Sequence, residues 1–301
     1  MENPTISVLM PVYNTEANHL HESIESILSQ TFEDFEFLVL NDASSNDQVE
    51  KIILSYTDPR IRYIRNDKNL GISGARNYLL QEARGKYIAI MDHDDISMPT
   101  RFEKQVWFLD THPSVGVVGS YVYFFLTNQT FCVPTSDIDI RTDLMQTCSI
   151  VHPSAMLRKE LLVKTKIQYE RQFTPSEDYA LWCRLLPYTK FANIPEILLH
   201  YRSHDKSVSK TQQKQMRMIS AQINTWVQNE NPTLWKRYQM PKEPFYTQIK
   251  IRLFCFIPIW KIEQREQNRI HYLLNLIPII KIKKGSDLQY PKSSFIIGNN
   301  L

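Results

Sequence analysis

Tyr87-Ile-Ala-Ile-Met-Asp-His-Asp-Asp95 couples an unbroken apolar run to a loop holding three carboxylates. An apolar run of this length reads as a strand buried on both faces. Carboxylates gathered in one loop repel each other, which costs stability unless a cation sits among them. Oxygen ligands of this kind suit a hard divalent ion, Mg²⁺ or Mn²⁺. An EF-hand is a competing reading, because Glu103 is the twelfth residue counted from Asp92. It fails at Ile96 and Ser97, where that loop needs an oxygen ligand and a glycine. The plainer alternative is a solvated acidic turn that caps the helix opened by Pro99.

Working outward, short apolar runs alternate with helical spacing. Ile6-Ser-Val-Leu-Met10, Phe35 to Leu40 and Ile61 to Ile64 read as three further strands. Between them, Leu20, Ile24, Ile27 and Leu28, and then Val49, Ile52, Ile53 and Tyr56, recur at helical intervals. A helix is predicted from about Ser73 to Ala83, and another after Pro99 carries Phe102, Val106 and Leu109. This alternation predicts an α/β fold built on a parallel sheet with helices on both faces. Ligands of such sheets bind beyond the carboxyl ends of the strands. Polar residues stand there in this chain: Pro11-Val-Tyr-Asn14, Asn41-Asp42, Asn66 to Gly74, and Asp92 to Asp95. Four loops should therefore meet in one crevice.

After Val115 the pattern is irregular. Strands are predicted at Val115–Val118, Tyr121–Phe125 and Ala155–Leu157, and a helix from Glu177 through Leu181 and Leu185. Lys210 to Met240 reads as polar helix or connector. Beyond it, Leu253 to Ile262 repeats in Leu273 to Ile282, with six of ten positions identical.

Composition narrows the function classes. With 43% hydrophobic and 22% charged residues in 301, global disorder is excluded. A net charge of only +3 argues against a dedicated nucleic-acid binder. The charge is uneven, since ten Lys/Arg against four Asp/Glu follow Pro241, leaving about −3 on the first 240 residues. A basic tail of this kind suits an anionic partner. Cys132, Cys148, Cys183 and Cys255 show no C-x-x-C spacing, which points away from zinc and towards a reducing compartment. No basic segment precedes an apolar stretch near Met1, and no window is apolar enough to span a bilayer, so a cytosolic location is expected.

Several polar residues carry bland alternatives beside functional ones. Asp42 precedes Ser44, Ser45 and Asn46 and could serve only the cap of the next helix. Arg76, on the helix opened by Gly71 and Gly74, stands where a helix N-terminus and a guanidinium can meet a phosphate. Glu177-Asp178 starts an apolar helix, where acids suit the helix dipole or provide a general base. Walker-loop and G-x-G-x-x-G patterns are missing, which disfavours ordinary NTPases and dinucleotide enzymes.

In this order along the chain, the segments resemble the family 2 glycosyltransferases of the GT-A fold. Ser7-Val-Leu-Met-Pro-Val-Tyr-Asn14 resembles the family's opening strand, and Leu38-Val-Leu-Asn-Asp-Ala-Ser-Ser45 its second, whose acid contacts uracil. Asn69-Leu-Gly-Ile-Ser-Gly-Ala-Arg-Asn77 resembles the helix start near the nucleotide, Met91 to Asp95 the DxD metal motif, and Glu177-Asp178 the catalytic acidic pair. Ala43 departs from the pattern, standing where many members have Gly and restricting the loop after Asp42.

The resemblance implies a Rossmann-like, mostly parallel central sheet flanked by helices, with a helical, basic extension over 210–301. The catalytic domain would span 1–209, its nucleotide-sugar half ending near 115 and its acceptor half running from 116. It implies Asp178 as general base with Glu177 beside it, and nucleotide binding by Pro11, Tyr13, Asp42, Asn69, Arg76 and Asp92. Asp94 and Asp92 would hold Mn²⁺ or Mg²⁺, while Asp95, Arg202 and His204 would touch donor or acceptor. The implied reaction moves a sugar from a nucleotide diphosphate, UDP first, onto a glycan or glycolipid hydroxyl with inversion. The apolar and lysine-rich repeats over 250–284 suit an anionic membrane surface; packing on the domain or between two copies is the alternative. A glycoside hydrolase also uses two carboxylates but needs no nucleotide pocket, and a non-catalytic glycan-binding protein would not need the acidic motifs.

Overall fold

The computed structural model describes residues 3–125, 127–203, 208–240, 269–273 and 277–282. They fall into two compact units, Met1–Gln239 and Met240–Leu301. The first begins with β1 (Ile6–Val12), α1 (Ala17–Leu28), β2 (Phe35–Asn41), α2 (Asp47–Ser55), β3 (Ile61–Arg65), α3 (Gly71–Glu82) and β4 (Tyr87–Ile90). Every residue of β1, β2 and β4 is buried, as a doubly covered sheet requires. α2 starts where Asn46 accepts the Gln48 amide at 2.8 Å, with Asp47 and Glu50 in its first turn.

The strand pleat sorts side chains into two cores. Ile6, Val8, Met10, Phe37 and Val39 meet Leu20, Ile24, Ile27, Val49 and Ile53 on one face. Leu9, Leu38 and Leu40 meet Ala75 and Leu79 of α3 on the other.

The chain continues through β5 (Ile96–Ser97), α4 (Arg101–Thr111), β6 (Val115–Phe124), β7 (Gln129–Phe131), α5 (Asp137–Asp143), β8 (Met156–Arg158), α6 (Lys159–Thr165), α7 (Glu177–Leu185) and β9 (Lys190–Tyr201). The two strands expected at Val115–Val118 and Tyr121–Phe125 are one strand, β6, whose pairing with β9 shifts register around Ser120 and Tyr121. The sheet order is β3-β2-β1-β4-β8-β6-β9-β5, with β7 on β6. β8 runs against both β4 and β6, so β6 and its parallel partner β9 run with β1 to β4. The carboxyl ends of β1, β2, β4, β6 and β9 thus share one edge, where the acidic loops lie.

α8 (Val208–Thr211), α9 (Gln213–Glu230) and α10 (Pro232–Gln239) complete this unit. A boundary at 209 was expected, but Ile219, Ile223 and Val227 of α9 are buried against the α7 side of the core. The compact unit therefore extends to Gln239. The expected C-terminal helices are present as α8 to α10, and in the second unit β10 (Arg269–Leu273) and β11 (Ile277–Ile282) pair antiparallel. The isoleucine-rich second repeat favours strand because branched side chains fit a pleated surface. The first repeat, 253–262, lies outside the described residues. No helix among them is long and apolar enough to cross a membrane.

Candidate active site

The loops after β1 and β2 are tied to each other. The Asn14 amide donates to Ser44 Oγ at 3.0 Å, and Asn14 Oδ1 accepts from the Ser45 amide at 2.9 Å. Asn14 and Ala43 both take left-handed backbone angles, φ 49° and 57°. Ala43 thus bears a steric cost of about 1 kcal/mol that glycine at this position would avoid. Pro11 is buried within β1, while Tyr13 at its end is 48% exposed and overhangs the edge.

Asp42 is buried and caps a helix, though not the next one in sequence. Its carboxylate accepts from Asn66 Nδ2 at 2.7 Å, from the Leu70 amide at 2.9 Å and from the Gly71 amide at 3.1 Å. It therefore closes the N-terminus of α3, and Asn69 Nδ2 adds a bond to the Asp42 carbonyl at 3.1 Å. Gly74 lets α3 approach closely: a Cβ there would lie 3.0 Å from the Arg171 guanidinium and 2.8 Å from Leu70 Cβ.

One turn into α3, Arg76 is 7% exposed. It was expected at a phosphate, yet its guanidinium spans two carboxylates, Glu177 Oε1 at 2.7 Å and Asp92 Oδ1 at 3.1 Å. The Tyr169 ring lies 5.5 Å from it. Burial opposes the charge, but Asp92 and Glu177 outweigh it and hold Arg76 above its ordinary value. Tyr169 is itself fixed, exchanging backbone bonds with the Asn77 side chain at 2.8 and 2.9 Å and meeting His152 Nε2 through its hydroxyl at 2.9 Å. Sequence spacing did not single out Tyr169 or His152, because each is joined to Arg76 only through tertiary contact.

The acidic loop is held from both sides. Ser23 Oγ on α1 donates to the Asp92 carbonyl at 3.1 Å. Arg202, just past β9, donates its amide to Asp95 Oδ1 at 2.8 Å and its Nε to the Asp94 carbonyl at 2.7 Å, and pairs with Glu22. Arg202 thus acts on the loop itself. His204 lies outside the described residues. Asp95 is 1% exposed, and its Oδ2 is buried with no hydrogen-bond partner. Burial, then the charges of Asp94 and Asp92, push its carboxyl well above the usual range.

Glu177 and Asp178 open α7. Glu177 is buried on Arg76, whereas Asp178 is partly exposed and accepts the Tyr179 amide at 2.7 Å. Burial, with the neighbouring Glu177 charge next, pushes Asp178 up to about 6. A carboxylate with a pKa there can remove a proton near neutral pH.

Among the described residues, no group of three or more His, Cys, Asp or Glu could by itself hold a metal ion. The residues present nonetheless fit a hard divalent cation whose remaining ligands come from a phosphate. Asp92, Asp94 and Asp95 supply oxygen donors, and Asp95 carries a buried unpaired one. Mg²⁺ commonly takes only one or two protein carboxylates when phosphates complete its shell.

Residues 7–164 match the signature of glycosyl transferase family 2. The O-antigen biosynthesis glycosyltransferase WbnJ of Escherichia coli is 32% identical over 214 residues, covering 68% of this chain and 82% of its own. Among solved structures, S. aureus TarS 1–349 in complex with UDP-GlcNAc superposes with a TM-score of 0.61 at 18% identity, covering 75% of this chain and 67% of that one. The mannosyltransferase PcManGT from Pyrobaculum calidifontis, in complex with GDP-Man and Mn²⁺, gives 0.54 at 16% identity, covering 84% and 80%. These two likenesses establish the GT-A fold.

Removing Arg76 strands the buried Glu177 carboxylate. Arg76→Met should lower unfolding free energy by about 3–5 kcal/mol, measured by urea titration; a loss below about 1 kcal/mol would show that Glu177 is held by other means.

Proposed function

The chain belongs to glycosyl transferase family 2, and from that premise we propose that it is an inverting, metal-dependent hexosyl- or N-acetylhexosaminyltransferase. The donor is a nucleotide diphosphate sugar, UDP-linked first, and the acceptor a glycan or glycolipid hydroxyl. The observation that carries this reading is Arg76, which ties the acid loop after β4 to the acids that open α7. Donor-side and acceptor-side carboxylates thereby share one crevice.

Tyr13 offers an exposed ring to the nucleotide base. Asp42 accepts from three donors, with the Leu70 amide shared between its two oxygens at 2.9 and 3.0 Å, so the imide N–H of a uracil would take the place of one of these bonds. Asn69 keeps that loop in place, and Pro11 sets the end of β1. Asp94, with Asp92 beside it, would hold a divalent cation, which would supply neutralisation of charge on the departing diphosphate. Arg76 orients Asp92 rather than the phosphate. Asp178, partly exposed and with its pKa raised, takes the proton of the acceptor hydroxyl as that oxygen attacks the anomeric carbon opposite the leaving group. One displacement inverts the configuration. Glu177, ion-paired with Arg76, holds the start of α7 still, and its negative charge adds to the rise of Asp178.

The likeness to WbnJ supports a place in surface polysaccharide or lipopolysaccharide synthesis. A peripheral site on the inner face of the cytoplasmic membrane, through 250–284, accords with the basic and apolar character of the repeats.

Asp178→Asn should lower transfer by about 10²–10⁴-fold while UDP and Mn²⁺ still raise the melting temperature. The wild-type rate should fall as pH drops through about 6, because the base must be ionised, and the residual rate of the variant should lack that limb; a limb retained in the variant removes Asp178 from the role. Asp94→Ala should lose the Mn²⁺-dependent part of the thermal shift with UDP or GDP, and an unchanged dependence places the ion elsewhere. Full-length protein should float with anionic vesicles and a chain ending at Gln239 should not; equal flotation ends the membrane proposal.

A further inference from the structure

At the active-site edge, β6 and β9 end in aromatic side chains that neither core takes in. Along β6, Val122 and Phe124 point into the α1 side of the core, as does Tyr201 on β9. The alternation of the pleat sends Tyr123 and His200 to the opposite face, with Phe125 just beyond β6 beside them. There the His200 ring lies 5.2 Å from Tyr123 and 5.4 Å from Phe125, tilted by 54° and 82°. All three are partly exposed. Tyr123 is braced by its hydroxyl, 3.0 Å from Asn128 Oδ1. Burial holds the His200 imidazole below its ordinary range, so the cluster is uncharged at neutral pH.

This surface is continuous with the acid loop. The Arg202 guanidinium carbon stands 4.7 Å from the Phe125 ring centre, while its Nε is 2.7 Å from the Asp94 carbonyl. One guanidinium separates the aromatic cluster from the loop that holds the donor's diphosphate. His200 also pairs with Ile96, directly after that loop. A group resting on these rings lies next to the reacting centre, on the half of the sheet that contributes none of the nucleotide-binding residues.

We propose that Tyr123, Phe125 and His200 form an acceptor subsite that takes a pyranose ring of the glycan. This rests on the glycosyl-transfer reading above. Axial C–H bonds of a pyranose carry partial positive charge and suit the negative face of an aromatic ring, while the Tyr123 hydroxyl and the His200 ring nitrogens can bond sugar hydroxyls. A flexible aliphatic surface would bury the ring without orienting it; braced aromatic rings do both at small entropic cost.

Saturation-transfer NMR on the full chain with UDP and Mg²⁺ tests this, using methyl glycosides of glucose, galactose and N-acetylglucosamine as probes. Ring protons of at least one probe should receive saturation in the wild type. That signal should weaken by about fivefold in Tyr123→Ala and Phe125→Ala, and persist in Tyr123→Phe. The thermal shift with UDP and Mg²⁺ should be the same in all four proteins, which also shows that each variant folds. No probe signal in the wild type, or an undiminished signal in both alanine variants, overturns the subsite. Loss of the wild-type thermal shift instead overturns the transferase reading on which it rests.

Discussion

A buried guanidinium needs acids held against it, and Arg76, whose Nε has no hydrogen-bond partner, is held by two carboxylates from segments 85 residues apart in sequence, Asp92 and Glu177. The desolvation cost of such a group is recovered only where both acids are held close. Its position in turn depends on where α3 begins, which Asp42 fixes by taking the Leu70 and Gly71 amides. The Tyr169 ring and the Asn77 clasp on its backbone complete the seat. Asp42, α3, Arg76, the acid loop and α7 therefore form a single mechanical series. The proposed nucleotide-binding and proton-accepting residues are thus positioned by the same helix.

The acid loop is arranged to welcome positive charge. Asp95 is buried with one oxygen unpaired, and its neighbours raise it further. A full positive charge lies nearby on Arg101, but that guanidinium is fully buried and bonded to the Ile90 and Ala155 carbonyls and to Gln105. Its charge reaches Asp95 only across space, and burial lowers Arg101 to about 9. Arg202 likewise reaches the loop mainly through backbone and carbonyl bonds. The fold thus braces the loop from both sides, pairing Asp92 with Arg76 and leaving one buried oxygen of Asp95 without a hydrogen-bond partner.

The sequence alone determined the first half of the sheet, because strands buried on both faces must be apolar throughout and the helices between them must carry a stripe every three or four residues. It also determined which loops gather at one edge of the sheet, since polar residues after such strands have one place to go. Only the tertiary structure decided what those residues touch. Asp42 could have capped the helix after it but caps the one beyond β3, because β2 and β3 lie side by side and bring Asn66 to Gly71 across its carboxylate. Arg76 reads as a phosphate ligand by spacing, yet the packing of α3 against α7 aims it at carboxylates. The join of α9 to the core and the β6–β9 aromatic surface were equally hidden, since a pairing across 77 residues, as between Tyr123 and His200, leaves no local periodicity to read.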